Sequence, residues 1–262
     1  RIMTNAEIIN KLRDDKHYYG EFGRQYISNS DIKTLLYDPE QFKVPTKPTI
    51  AMEQGKYFHQ LMLEPDKAKD FLIADVTRRD ATFKKFKEEH GVEEALKRSE
   101  ADEIEAIVDW FKSDDNKKTK SLMDLIYNDN CRFEEPMVAD ILGHKFKCKA
   151  DVVNAVDGYI LDLKTSGDVT RFKTTAKSYG YHTQSYLYQT MFGMPLIFIV
   201  IGKTPKQRED GTIYYDIGKI KTKPNTLQDG KDEVERAIMT YEEWLSNNSN
   251  KDIQEFIFEG EF

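Results

Sequence analysis

Apolar residues recur at helical spacing along the first half of the chain and at strand spacing along the second. Residues 3–12 read as a short helix, and residues 18–27 as an aromatic, irregular stretch. Ser28 or Ser30 is placed to cap a helix that runs through Tyr37, with Asp31 near its positive end. Pro39, Pro45 and Pro48 break the chain between this helix and the next. Residues 49–63 read as a second helix, closed by Glu64-Pro65. Residues 66–120 are charged and mostly helical; the clearest pattern spans 93–112, with Ile104, Ile107, Val108 and Phe111 on one side. Asp114 to Lys118 form a solvated break, and residues 121–127 a further helical turn. The character changes at Asn130. Strands are predicted over 132–141, 145–153, 159–165, 196–201 and 213–221, with a helix over 174–192 crossing between the third and fourth. A closing helix over 227–247 carries Val234, Ile238, Tyr241 and Trp244 or Leu245 on its apolar face. Helices followed by a mixed sheet crossed by a helix give an α/β (α+β) layout. With no linker and no internal repeat, one domain over residues 1–262 is expected, mainly helical over 1–130 and a sheet core over 131–262.

The composition, 39% hydrophobic and 12% aromatic, supports a packed core. The longest apolar run, residues 196–201, is six residues, far short of a membrane span, and no signal peptide is read; Arg1-Ile2 before Met3 read as an added remnant or as the edge of a truncation. Two cysteines, Cys131 and Cys148, are too few for a disulfide framework, so a reducing cytoplasm is the simplest compartment. The net charge of −7 counts against a nucleic-acid binder, although local rather than total charge decides that class. Basic clusters exist: Lys145, Lys147 and Lys149 alternate along one strand, Arg171, Lys173 and Lys177 follow another, and Lys203, Lys206 and Arg208 a third. Each reads equally as a solvated surface. The Lys145–Lys149 row is the best candidate because its strand also carries Asp151.

Asp151, Asp162 and Lys164 bear the most chemistry. Ala155 to Gly158 carry a turn signal, so the strands before and after them pair antiparallel. Alternation puts Asp162 and Lys164 on one face, which Asp151 can join, while Leu161 and Leu163 face the other way. Charges in such a buried strand are costly unless paired or metal-bound. Two carboxylates beside an ammonium can hold a divalent ion and steer water, which suits phosphodiester hydrolysis. His59, one turn after Gly55, is either a satisfied core residue or a nitrogen ligand that suits manganese at least as well as magnesium. Gly55 inside a helix suggests close approach of another element. Tyr181, Gln184 and Tyr188 share one helix face, as core or as part of the active face. Glu134 or Glu135 could add a carboxylate, with Glu135 before Pro136 placed to point inward; Thr165 and Ser166 could bond a phosphate.

Taken in order, five features resemble the PD-(D/E)xK nuclease superfamily, and within it the RecE-type phage and prophage exonucleases (exodeoxyribonuclease VIII), kin of the RecB nuclease domain. They are Ser28-x-Ser30, Gly55-x-x-x-His59 with Leu63-Glu64-Pro65, Lys149-Ala150-Asp151, Asp162-Leu163-Lys164-Thr165, and Tyr181-His182-x-Gln184-x-x-x-Tyr188. The resemblance implies a restriction-endonuclease-like core, a mixed central sheet flanked by helices, with an N-terminal helical region. It implies that His59, Asp151 and Asp162, helped by the Leu163 carbonyl and a glutamate, taken as Glu135, bind Mg2+ or Mn2+, two ions per site. Lys164 would orient or deprotonate water, with Asp151 and Asp162 as catalytic partners. Gln184, Tyr188, Tyr181, His182, Thr165, Ser166, Lys149 and Lys147 would support the site or touch DNA. No iron–sulfur cluster is expected. The implied activity is 5′→3′ digestion of double-stranded DNA ends, leaving 3′ tails for a RecT-like single-strand annealing protein in a bacterial host cytoplasm. The implied assembly is a ring, a tetramer, with no membrane association and the nuclease domain alone. A non-catalytic DNA-end module or an endonuclease of the same superfamily is the alternative.

Overall fold

Two tight turns set the register of the sheet. In this computed structural model, which describes residues 3–76 and 81–259, β1 (Cys131–Ile141) and β2 (His144–Asn154) are joined through Leu142 and Gly143. Both turn residues have positive φ, 53° and 79°, as a two-residue hairpin turn of the strand-matching hand demands. β2 then passes into β3 (Tyr159–Ser166) through the predicted turn. There the buried Asn154 side chain accepts the backbone N–H groups of Val156 (3.1 Å) and Asp157 (2.9 Å). β4 (Leu196–Gly202) lies parallel to β3, and β5 (Ile217–Lys221) closes the far edge antiparallel to β4. The order β1-β2-β3-β4-β5 is sequential, and the single parallel step is spanned by a helix, as parallel neighbours require.

Strand alternation divides the core between the two faces. Leu161, Leu163, Ile197 and Ile199 pack with Phe58 and Leu63 of the Ile50–Leu63 helix and with Ile104 and Phe111 of the Arg98–Lys112 helix. Ile160, Phe198 and Val200 pack on the other side, against Leu187 of the Tyr181–Phe192 helix and Val234 and Ile238 of the closing Pro224–Trp244 helix. The architecture is a mixed α+β sandwich with a helix layer on each face. Among the described residues, no helix is long and apolar enough to cross a membrane.

Several predicted elements prove to be divided. The helix expected over 174–192 is a short Phe172–Thr175 turn followed by Tyr181–Phe192, because Gly180 takes a left-handed φ of 71° between them. The strand expected over 213–221 splits: Ile213–Tyr214 pairs with Lys206–Gln207 outside the main sheet, and only Ile217–Lys221 joins it. Leu96–Lys97 pairs parallel with Ile73–Ala74, so the helix expected from 93 begins at Arg98. The aromatic stretch after residue 14 forms the short helices Asp15–Tyr19 and Glu21–Arg24. Ser28 takes the N-cap position, and Asp31 accepts its backbone N–H at 2.7 Å.

Candidate active site

The site forms where β2 and β3 part. Their ladder runs from Asn154–Tyr159 to Val152–Leu161 and stops. The next residues across the gap are Asp151 and Asp162. Beyond the fork, the Leu163 N–H has lost its strand partner, and Asp151 Oδ2 accepts it at 2.6 Å. The Leu163 carbonyl lies 2.7 Å from His59 Nε2, on a helix 104 residues earlier in the chain. His59 Nε2 is also 3.4 Å from Asp151 Oδ2. Glu134 completes the group: one ligand atom from each of His59, Glu134 and Asp151 falls within 4.8 Å of the others.

The residues fit a divalent cation. An imidazole nitrogen, two carboxylates and a carbonyl bring lone pairs to one partly buried point, and such acceptors need a shared proton or cation between them. The mixed nitrogen and oxygen set suits Mn2+ as well as Mg2+. Protonation reflects the crowding. Burial raises Asp151, opposed by His59 and reinforced by Asp162. Burial lowers His59, but Asp151 and the Leu163 carbonyl outweigh it, so the net shift is upward. Burial, then the charge of Asp151, push Glu134 up to about 7.

Asp162 stands beside this group rather than within it. It is 2% exposed. Its Oδ2 accepts from Gln184 Nε2. Its Oδ1 lies 2.5 Å from Lys164 Nζ, an ion pair rather than a well-aligned hydrogen bond. Burial would lower Lys164, but Asp162 and Asp151 hold it as an ammonium well above its usual range. The Tyr181 ring lies 5.1 Å from that ammonium and stacks on Phe172. Tyr188, one turn after Gln184, is buried among the core residues behind the site.

Other expectations need correction. Glu135 does not point into the site; Arg13 grips it in a bidentate pair at 2.5 and 2.6 Å. The β1–β2 register pairs Phe133 with Val152 and Glu135 with Ala150, which leaves Glu134, at a positive φ of 50°, level with Asp151. Counting back from the Leu142-Gly143 turn would have found this. The lysine row is not an open surface. Lys147 is buried under Tyr18, donating to its carbonyl with the ammonium 4.0 Å from its ring. Lys149 is held 2.5 Å from Asp15 and 3.9 Å from Glu134. Lys145 alone of the three is exposed. The short N-terminal helices cover this strand, which its own pattern could not show. His182 is buried with Nε2 2.9 Å from Glu233, turned toward the closing helix. Ser166 Oγ bonds the backbone of Asp168 at 3.0 and 3.2 Å. Thr165 is half-buried on β3. Gly55 admits no close neighbour: a Cβ there would meet nothing within 4 Å.

Comparison with known proteins agrees with this geometry. Among curated proteins none matches the chain. A solved structure described as "Putative exonuclease" from Eubacterium rectale shares the fold with a TM-score of 0.58 and 18% identity, covering 87% of this chain and 86% of its own. A second, of the protein SSO0001, has a TM-score of 0.29 and 13% identity over 75% of this chain and 89% of its own, too low a likeness to bear on the fold. A family described as a PDDEXK-like domain of unknown function (DUF3799) matches residues 29–254. That span holds His59, Glu134, Asp151, Asp162, Lys164 and Gln184, and the chain belongs to this PDDEXK-like family.

Proposed function

We propose that the protein is a metal-dependent exodeoxyribonuclease that digests double-stranded DNA ends 5′→3′ and leaves 3′ single-stranded tails for phage-type recombination by strand annealing. The observation that carries the nuclease reading is the convergence of His59 Nε2, the Leu163 carbonyl and the Asp151 carboxylate beside the buried Asp162–Lys164 pair. His59, Glu134, Asp151 and the Leu163 carbonyl would hold the ion. When bound, it supplies a Lewis acid and a water of lowered pKa. Lys164, kept as an ammonium by Asp162, orients the attacking water and faces the charge that grows on the phosphate. Gln184 fixes the Asp162 carboxylate so that the ammonium stays aimed. Tyr181 walls one side of Lys164 and limits its motion.

The polarity, the recombination role, a ring-shaped tetramer and a RecT-like annealing partner rest on the motif order shared with RecE-type exonucleases. A ring would reconcile the net charge of −7 with a polyanionic substrate, by turning basic residues inward. The test is digestion of end-labelled linear duplex and of a closed circle, with Mg2+ or Mn2+ and with chelator. The linear duplex should be shortened from its ends, the circle spared, and Lys164→Ala should slow hydrolysis by about a thousandfold. Cleavage of the circle would replace the exonuclease reading with an endonuclease, and undiminished digestion by Lys164→Ala would remove this chemistry altogether.

Glu134 sets a pH dependence. A carboxyl raised to about 7 must lose its proton before it can ligate. The part of Mn2+ affinity that Glu134 controls should therefore rise by up to about tenfold per pH unit below about pH 7 and level off above it, on top of the proton losses of His59 and Asp151. In the metal-free fold the sign is opposite: the raised pKa gives stability that is complete below the ordinary glutamate range and is lost as pH rises through about 7. Calorimetric titration across that range, with Glu134→Gln as the control that should make the slope shallower, checks both; a slope unchanged in Glu134→Gln would take this carboxylate out of the site.

A further inference from the structure

A cleft of about 480 Å³ opens beside the site, between the Phe172–Thr175 turn, the start of the Tyr181–Phe192 helix, the edge strand β5 and the first turn of the closing helix. Five lysines line it: Lys173, Lys177, Lys219, Lys221 and Lys223. Lys177 is neutralised by Asp229 at 2.7 Å. The other four are exposed and make no ion pair or side-chain hydrogen bond with any described residue. Lys223 also occupies the N-cap of the 21-residue closing helix, where its side chain offers no cap and its charge adds to the positive helix end. This concentration of uncompensated positive charge sits on a protein of net charge −7. Nothing in the proposed hydrolysis uses it.

The cleft is also aromatic, and one of its walls adjoins the catalytic lysine. Phe172, Tyr181 and Phe198 contribute to its wall. Tyr181 stacks on Phe172 with centroids 5.3 Å apart and planes at 21°, and Tyr179 stacks on Tyr181 at 5.7 Å and 30°. Tyr179 is 66% exposed; it lines the adjoining cleft and meets this one through its stack on Tyr181. The same Tyr181 ring lies 5.1 Å from Lys164 Nζ, so a single side chain separates cleft from site. Lysines that track a phosphate backbone, interleaved with rings on which bases stack, are the general means of holding a single strand.

We propose that this cleft binds single-stranded DNA and guides the strand to be cut past Tyr181 to Lys164. The direction of travel rests on the nuclease reading; the binding does not. The competing explanation is that lysines on β5 merely guard a sheet edge against pairing with another chain.

Binding is measured without hydrolysis, by fluorescence anisotropy of a labelled short oligothymidylate in chelator, across a salt series. Lys219→Gln/Lys221→Gln/Lys223→Gln should weaken binding by about tenfold or more and make the slope of log affinity against log salt shallower by about 2. Tyr179→Ala should weaken oligothymidylate by about fivefold while leaving competition by inorganic polyphosphate unchanged. Unchanged affinity in the triple variant, or self-association through β5 with binding intact, would overturn the proposal. So would a Tyr179→Ala variant that loses neither ligand, or both equally. Wild-type protein that binds through these lysines yet never hydrolyses DNA would instead remove the nuclease reading and leave the cleft standing.

Discussion

Asp151→Asn should abolish hydrolysis without harming the fold. Asp151 is 6% exposed, and burial raises its carboxyl, so its charge is maintained at a cost to the metal-free protein. An asparagine oxygen in the same place can still accept the Leu163 N–H that Asp151 takes at 2.6 Å. It cannot supply the anion that His59 and Glu134 share. Mn2+ affinity should fall by at least about a hundredfold, and the rate on linear duplex by about a thousandfold or more. The metal-free melting temperature should hold or rise, because a buried charge has been exchanged for a dipole. Opposite movement of activity and stability marks a residue kept for chemistry. A melting temperature that collapses together with the rate would show Asp151 to be a scaffold residue that pins β3.

Gly230→Ala should lower stability markedly. The closing helix crosses the Tyr181–Phe192 helix so closely that a Cβ at Gly230 would sit 2.3 Å from the His182 carbonyl oxygen and 2.7 Å from its carbon. Both are backbone atoms, so neither can rotate away, and the helices must separate. Overpacking of this kind costs about 2–3 kcal/mol, which in a chain of this size lowers the melting temperature by roughly 5–10 °C. The displaced helix carries Gln184, so the hold on Asp162 and hence the rate should decline as well. Gly55→Ala is the matched control. Its Cβ would meet nothing within 4 Å, and the gain in helix propensity should raise stability by up to about 1 kcal/mol. Equal melting temperatures for Gly230→Ala and wild type would mean that the two helices are not in contact at this point.

The hairpin that carries Asp151, Asp162 and Lys164 is readable because alternation and a turn signal are local properties. Its two neighbours are not equally visible. Glu134 is within reach, since the Leu142-Gly143 turn fixes which residue faces Asp151, but Pro136 misdirects the choice between two adjacent glutamates. The contact of His59 with the Leu163 carbonyl joins segments that no periodicity connects; only the order of motifs points to it. Lys147 and Lys149 look free because their strand alternates cleanly, whereas burial is decided by the Asp15–Tyr19 helix, whose five residues carry too few apolar positions to announce what they cover. Gly180 in a left-handed conformation breaks a helix whose side chains are otherwise continuous with it. Propensity fixes the type of an element more readily than its partners.

The parting of β2 and β3 has a consequence for how activity is acquired during folding. His59 arrives from one helix layer, Gln184 from the other, and the acidic pair from the sheet between them, so the centre has almost no local content. Contacts of such long sequence separation form late, after loop entropy has been overcome. A partly synthesised or half-refolded chain would present the motif residues without the constellation, and would leave nucleic acid untouched until both layers have docked. Recovery of catalysis on refolding should accordingly trail the return of helical signal.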